Sequence, residues 1–332
     1  MKLIKKSLND TIIYGLGLAL AHMSAYLMLP FYTRVFSPDE YAVITLVLLI
    51  IPFTRYFLSL EISQASVVFA VDEPQKRAEH ISTALYFTIL INIIVYVIFL
   101  SLNVYFEFFD IGFSHLLIIC FMFFSDAIFY YGLNVLRWNL KRVAYNVINI
   151  ISAILSVILT FIFVLYFKYS IEGVFIAWAI SRFFGAFLCF YYSNSDYQFI
   201  FSYSSLKNAL TFSVPLWLGN IPLRCNTTVD KLLILNFIGW SALGIYGAGF
   251  TISAIMNFII ISVASAITPL IYQNHENTNT PKETAFMFLS MLIACYFVTL
   301  VFSTFNKEIL SIMLSDTFSE NLMTIPLIPF LL

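Results

Sequence analysis

The run IEGVFIAWAISRFFGAFLCFYY, Ile171–Tyr192, decides what kind of protein this is. A helix needs about 20 predominantly apolar residues to cross the hydrocarbon core of a bilayer, and this run is long enough. Its charged residues are Glu172, near its start, and Arg182, close to its middle. It is apolar on all sides, so it lacks the one-sided stripe of a soluble surface helix. It does not read as a barrel strand either, because such strands run about ten residues and alternate apolar with polar.

Working outward, the same reading applies along nearly the whole chain. The spans expected are Thr11–Tyr32, Tyr41–Phe69, Ile81–Leu102, Phe113–Leu136, Val143–Phe167, Ile171–Tyr192, Ala209–Phe237, Leu243–Tyr272 and Thr284–Phe305, with a tenth starting near Leu322 and running to Leu332. The fold class is therefore an all-α integral membrane protein of about ten transmembrane helices. Residues 1–192 form an N-terminal six-helix bundle, 193–207 a polar cytoplasmic linker, and 208–332 a C-terminal bundle of about four helices.

Composition agrees. The 332 residues are 61% hydrophobic and 11% charged, against about 25% charged in an ordinary soluble domain. Ten spans of about 20 residues leave short loops and no room for a soluble catalytic domain. A net charge of −1 gives no global field for nucleic acid. Cys120, Cys189, Cys225 and Cys295 all fall in apolar segments, form no CxxC pair and read as packing residues. Met1-Lys2-Leu3-Ile4-Lys5-Lys6 resembles the start of a signal peptide, but the apolar run behind it is too long and ends at Arg34, so it reads as a retained helix. The 36 Phe and 20 Tyr suit lipid-facing surface and headgroup belts better than a sugar-stacking platform. No Walker A, HExxH or paired metal-ligand motif occurs, so ATP hydrolysis, metal and cofactor are not expected. His22 and His115 read as hydrogen-bonded packing residues.

Loop charges give the orientation. With a cytoplasmic N-terminus, Lys2, Lys5, Lys6, Lys76, Arg77, Arg137, Lys141, Arg142, Lys207 and Lys282 lie inside, and Arg34, Lys168 and Lys307 outside. The outer loop 103–112 holds Glu107 and Asp110 and no basic residue. A weak internal repeat links Ser37-Pro38-Asp39-Glu40-Tyr41-Ala42 to Ala242-Leu243-Gly244-Ile245-Tyr246-Gly247. Six spans separate the copies, so the two bundles would be parallel repeats.

Seven charges remain inside spans: Arg55, Arg182, Arg224 and Lys231, with Glu61, Asp126 and Asp230. Each costs roughly 2.5–3.5 kcal/mol at the bilayer centre on the insertion scale, so such residues persist where they pair or face water. Lys231, Asp230 and Glu61 are also compatible with snorkelling from helix ends. Arg182 and Arg55 are too deep for that. Arg224 and Lys231 are seven apart and share a face of the seventh span, which Pro215 and Pro222 interrupt. The four basic residues are candidates for a site that binds an anion, and phosphate on a lipid headgroup is the anion a bilayer offers. Asp126 reads as a counter-ion to an arginine or as a proton or cation site; Glu61 and Asp230 carry the same alternatives.

The stretch Ser7-Leu8-Asn9-Asp10-Thr11-Ile12-Ile13-Tyr14-Gly15-Leu16-Gly17, followed by Leu29-Pro30-Phe31-Tyr32-Thr33-Arg34-Val35-Phe36-Ser37-Pro38-Asp39-Glu40-Tyr41, resembles the opening of polysaccharide biosynthesis membrane proteins. These are the Wzx-type O-antigen and capsule flippases of the multidrug/oligosaccharidyl-lipid/polysaccharide exporter superfamily. Asp230-Lys231-Leu232-Leu233-Ile234-Leu235, Ala242-Leu243-Gly244-Ile245-Tyr246 and Thr268-Pro269-Leu270 extend the resemblance in the right order. The resemblance implies two six-helix bundles, alternating access, and flipping of an undecaprenyl-diphosphate-linked oligosaccharide from the inner to the outer leaflet of a bacterial cytoplasmic membrane. It also implies that basic residues meet the diphosphate, and that a polysaccharide polymerase and a chain-length regulator are partners beside membrane lipid. Such proteins have twelve or more helices, so a chain stopping in its tenth span would have an incomplete second bundle. The competing readings are a multidrug-type cation antiporter of the same fold, which would want an acid-lined pocket; a membrane polysaccharide polymerase or ligase, which would want a long outer loop; and a non-transporting scaffold, which would leave the buried charges unexplained.

Overall fold

The computed structural model of this chain describes residues 24, 26–106, 112–139, 141–226, 228–254 and 280–323. The first half of the expected first span, the acids Glu107 and Asp110, His22, the second half of the eighth span and most of the tenth lie outside the described residues. Among the described residues, every regular element is helical. After a helical run over 26–35, the helices are α1 (Pro38–Ser59), α2 (Ile62–Asp72), α3 (Arg77–Phe106), α4 (Phe113–Trp138), α5 (Arg142–Phe161), α6 (Ile171–Tyr192), α7 (Tyr203–Asn226), α8 (Val229–Phe237), α9 (Trp240–Ser253), α10 (Thr280–Thr304), α11 (Asn306–Met313) and α12 (Asp316–Met323). Among the described residues, five helices are long and apolar enough to cross a membrane, or six if the pair Phe288–Thr304 and Asn306–Met313, bent by 78°, counts as one span.

α6 keeps the bounds read from the sequence. Other spans are broken where periodicity gave no warning. The expected second span, Tyr41–Phe69, is interrupted at Leu60 and Glu61, both in the left-handed region with φ of 48° and 54°. Neither residue is glycine, and Pro52 sits within α1 without ending it. The expected seventh span, Ala209–Phe237, is two helices; α7 contains Pro215 and Pro222 and ends four residues beyond the second. The fifth span closes in a π-helical turn over Ile162–Tyr166. α11 and α12 stand where a loop was expected.

The chain forms two compact units, 46–230 and 1–45 with 231–332. In the first, α4 packs along α6, α5 lies along α6 as well, α2, α3 and α7 pack with one another, and α2 and α3 also pack with α4. Its core mixes small and large side chains: Ala65, Ala84 and Ala209 beside Ile62, Ile81 and Tyr131. Small residues let helices approach where there is no water to drive them together. The buried Tyr131 hydroxyl donates to the Ile81 carbonyl at 2.6 Å. On α3, Leu90, Ile94, Val97 and Ile98 are exposed, an apolar face that suits acyl chains rather than water.

In the second unit, Ser37-Pro38-Asp39-Glu40 is a working helix start. The Ser37 backbone N–H donates to the Glu40 carboxylate at 2.9 Å, and the Glu40 backbone N–H donates to the Ser37 hydroxyl at 3.3 Å. This reciprocal capping satisfies donors that a helix leaves open, and proline is tolerated at its first position. Arg34 is tied down by backbone carbonyls, donating to Pro30 at 3.0 Å and to Ile312 at 2.9 Å. The two copies of the weak repeat meet here. A Cβ at Gly244 would collide with the Pro38 carbonyl, and one at Gly247 with the Thr45 side chain.

Candidate functional site

Within the unit 46–230, three helices bring three of the intramembrane charges to one place. α1 supplies Arg55, α4 supplies Asp126 and α6 supplies Arg182. Arg55 Nη1 donates to Asp126 Oδ2 at 2.7 Å, and Arg182 Nε lies 3.7 Å from Asp126 Oδ1. The group carries two positive charges and one negative.

One face of α4 builds the seat for both arginines. Asp126, Phe129 and Tyr130 stand at i, i+3 and i+4, which puts their side chains side by side. The Arg55 guanidinium lies 4.0 Å from the centre of the Tyr130 ring and that of Arg182 5.0 Å from the Phe129 ring. Such contacts are worth about 0.5–2 kcal/mol each, more where water is excluded. The Phe129 ring is itself held against Gly185 of α6, where an added Cβ would stand 2.5 Å from a ring carbon.

Exposure separates the three charges. The Asp126 side chain is 8% exposed, Arg55 23% and Arg182 42%. The carboxylate is the most buried of the three, and both guanidinia keep exposed surface. Among the described residues, Asp126 is the acceptor found for either guanidinium. An arginine has five N–H donors, so most of the donors here are available to a ligand. The arrangement can bind an oxyanion through charge and a planar fork.

The other sequence candidates fall elsewhere. Arg224 lies in α7, with its side chain outside the described residues. Its shared face with Lys231 assumed one continuous helix, but α7 ends at Asn226 and α8 begins at Val229, so that phase argument fails. Lys231, in the unit with 1–45, is buried, with Nζ 3.8 Å from the Phe250 ring centre and 5.8 Å from that of Tyr246. Asp230 is half-buried in the first turn of α8. Glu61 is buried at the α1–α2 break, where its carbonyl accepts from the Gln64 N–H at 3.0 Å. His115 pairs with Glu172 at 2.6 Å, linking the starts of α4 and α6.

A second charge centre was missed in the sequence. Asp196, in the linker, is 9% exposed and accepts from Arg77 Nε at 2.8 Å and Asn139 Nδ2 at 2.5 Å, with Lys141 Nζ at 3.6 Å. Arg77 also donates to Asn139 Oδ1 of the side-chain amide, and Lys141 to the Tyr192 backbone carbonyl at 2.9 Å. The linker is bound further through the Gln198 N–H to Ser82 Oγ and the Ser202 N–H to Thr83 Oγ1. Beside it, an apolar cleft of about 400 Å³ runs between α3, α4, α6 and Tyr197–Phe199, with no charged side chain in its wall.

A family model described as polysaccharide biosynthesis protein matches residues 31–323. No curated protein matches the chain. Among solved structures, the chain is similar to an inward-facing multidrug resistance MATE family transporter of the MOP superfamily, at TM-score 0.70 and 12% identity over 95% of this chain and 79% of that one. It is similar to a mutant of the Vibrio cholerae MATE transporter VcmN, at TM-score 0.68 and 14% identity over 99% and 80%. A third similar structure is a MOP superfamily transporter from Pyrococcus furiosus, described as having a binding pocket of reverse polarity that suggests a different function, at TM-score 0.62 and 13% identity over 97% and 77%. At these identities the likeness is one of fold.

Proposed function

The chain belongs to the polysaccharide biosynthesis protein family, and from that premise we propose that it is a flippase for lipid-linked oligosaccharides. Its passenger is an oligosaccharide repeat unit on undecaprenyl diphosphate, moved from the inner to the outer leaflet of a bacterial cytoplasmic membrane by alternating access. The product serves O-antigen, capsule or exopolysaccharide synthesis. The N-terminus is cytoplasmic, as the loop lysines and arginines favour.

The observation that supports this most is the Arg55–Asp126–Arg182 group. Two arginines at one buried carboxylate leave an excess positive charge inside membrane-spanning helices. Such an excess is expensive in lipid unless it serves a ligand, and a diphosphate is the ligand that compensates it. The same group argues against a cation antiporter, because the acid a cation would need is already held by two guanidinia.

Deletion of the gene in its host should trap undecaprenyl-linked repeat units on the inner leaflet, and the intact gene should release them. Arg55→Ala or Arg182→Ala should lower surface polysaccharide about tenfold, equivalent to about 1.4 kcal/mol, with normal amounts of membrane-inserted protein. Normal polysaccharide in both variants would remove the anion site from the mechanism.

A further inference from the structure

We infer that Asp126 is an internal stand-in for the ligand's phosphate: it holds Arg55 and Arg182 while the site is empty and is displaced from them when an anion binds. The inference rests on the anion-site reading above and adds a competition within the protein to it.

Three observations lead there. The carboxylate is monovalent and more buried than the arginines, at 8% exposure against 23% and 42%. An incoming phosphate therefore reaches guanidinium surface before it reaches Asp126, and takes the donors that the carboxylate holds. Next, the grip is uneven. Arg55 makes a 2.7 Å hydrogen bond, while Arg182 stands 3.7 Å away, outside hydrogen-bond range. A carboxylate that satisfied both arginines would engage two forks; this one engages a single donor closely. Last, each arginine rests on its own ring, Tyr130 or Phe129. These seats do not depend on Asp126, so both guanidinia keep their places when the carboxylate lets go. All three supports come from one face of α4.

The consequence is weaker binding than two free arginines would give. A competitor that occupies the arginines about nine-tenths of the time reduces apparent affinity about tenfold. For a protein that must release its passenger as well as catch it, that reduction is useful. The competing carboxylate returns to the arginines as the phosphate leaves, so the empty site never exposes two unbalanced charges to the bilayer.

The test uses the full chain, purified into phosphatidylcholine nanodiscs, with inorganic pyrophosphate and farnesyl diphosphate as probes at fixed ionic strength. Asp126→Asn should bind both probes about tenfold more tightly than the unaltered protein. Asp126→Ser should do the same, which protects the result if one variant folds poorly, and Asp126→Glu should bind like the unaltered protein. Arg55→Gln and Arg182→Gln should bind more weakly. If Asp126→Asn and Asp126→Ser bind no better than the unaltered protein while the arginine variants lose affinity, the stand-in role is wrong and the anion site survives. If no form of the protein binds either probe, both readings fall.

Discussion

Asp126 and Asp196 are nearly equal in burial, at 8% and 9%, and each faces two basic side chains. What surrounds the cations differs. At Asp196 the donors have other work: Arg77 also serves Asn139, Lys141 also serves the Tyr192 carbonyl, and Asn139 returns a bond to Asp196 itself. Each cation has a second acceptor besides the carboxylate, and the network ties the linker to the starts of α3 and α5. At Asp126 the arginines rest on aromatic faces and most of their donors have no acceptor among the described residues. A buried carboxylate between two cations is thus a fastener in one place and a receptive site in the other. The count of charges does not distinguish them; the count of satisfied donors does.

The contrast can be broken most directly at Asp196. Asp196→Ala leaves Arg77 and Lys141 facing each other without their carboxylate and should cost about 3 kcal/mol, read as a lower melting temperature of the detergent-solubilised protein. Pyrophosphate should not restore it. A melting temperature like that of the unaltered protein would mean the network is ornamental. Asp126→Ala should be milder, about 1–2 kcal/mol, because it removes one close hydrogen bond where Asp196→Ala removes two, and both arginines keep their ring seats. Here pyrophosphate should restore the lost stability, and failure to do so would erase the distinction between the two carboxylates. Arg182→Lys keeps the charge and removes the planar fork; surface polysaccharide should fall about tenfold, about 1.4 kcal/mol. Full activity would show that charge alone suffices. The smallest effect belongs to Tyr130→Leu, which removes the ring under Arg55. Pyrophosphate binding should weaken by about 0.5–1 kcal/mol, a few-fold.

Much of this was legible in the residues. A run such as Ile171–Tyr192 admits one reading, and the helix over it keeps those bounds. Arg55, Asp126 and Arg182 stood out because charge in an apolar run is costly and needs an explanation. Asp196 did not, because an aspartate in a polar linker looks like a solvated residue; its partners come from three separate elements. Tyr130 and Phe129 were hidden among 36 Phe and 20 Tyr, although their spacing from Asp126 was a usable signal. The break at Leu60–Glu61 could not be read at all. Proline and glycine mark chain breaks in sequence, and neither stands there; the prolines expected to interrupt the seventh span, Pro215 and Pro222, both lie inside α7.

The contact of Pro38, Ala42 and Thr45 with Gly244 and Gly247 carries a mechanical meaning. At Gly244 the two backbones touch with no side chain between them, and at Gly247 the small Thr45 side chain is the one knob to ride over when the helices turn. Shifting one helix along the other by a single residue, however, drives a Cβ into a carbonyl. The junction of α1 with α9 therefore acts as a bearing: it tolerates rolling and forbids gliding. Gly244→Leu would seize it.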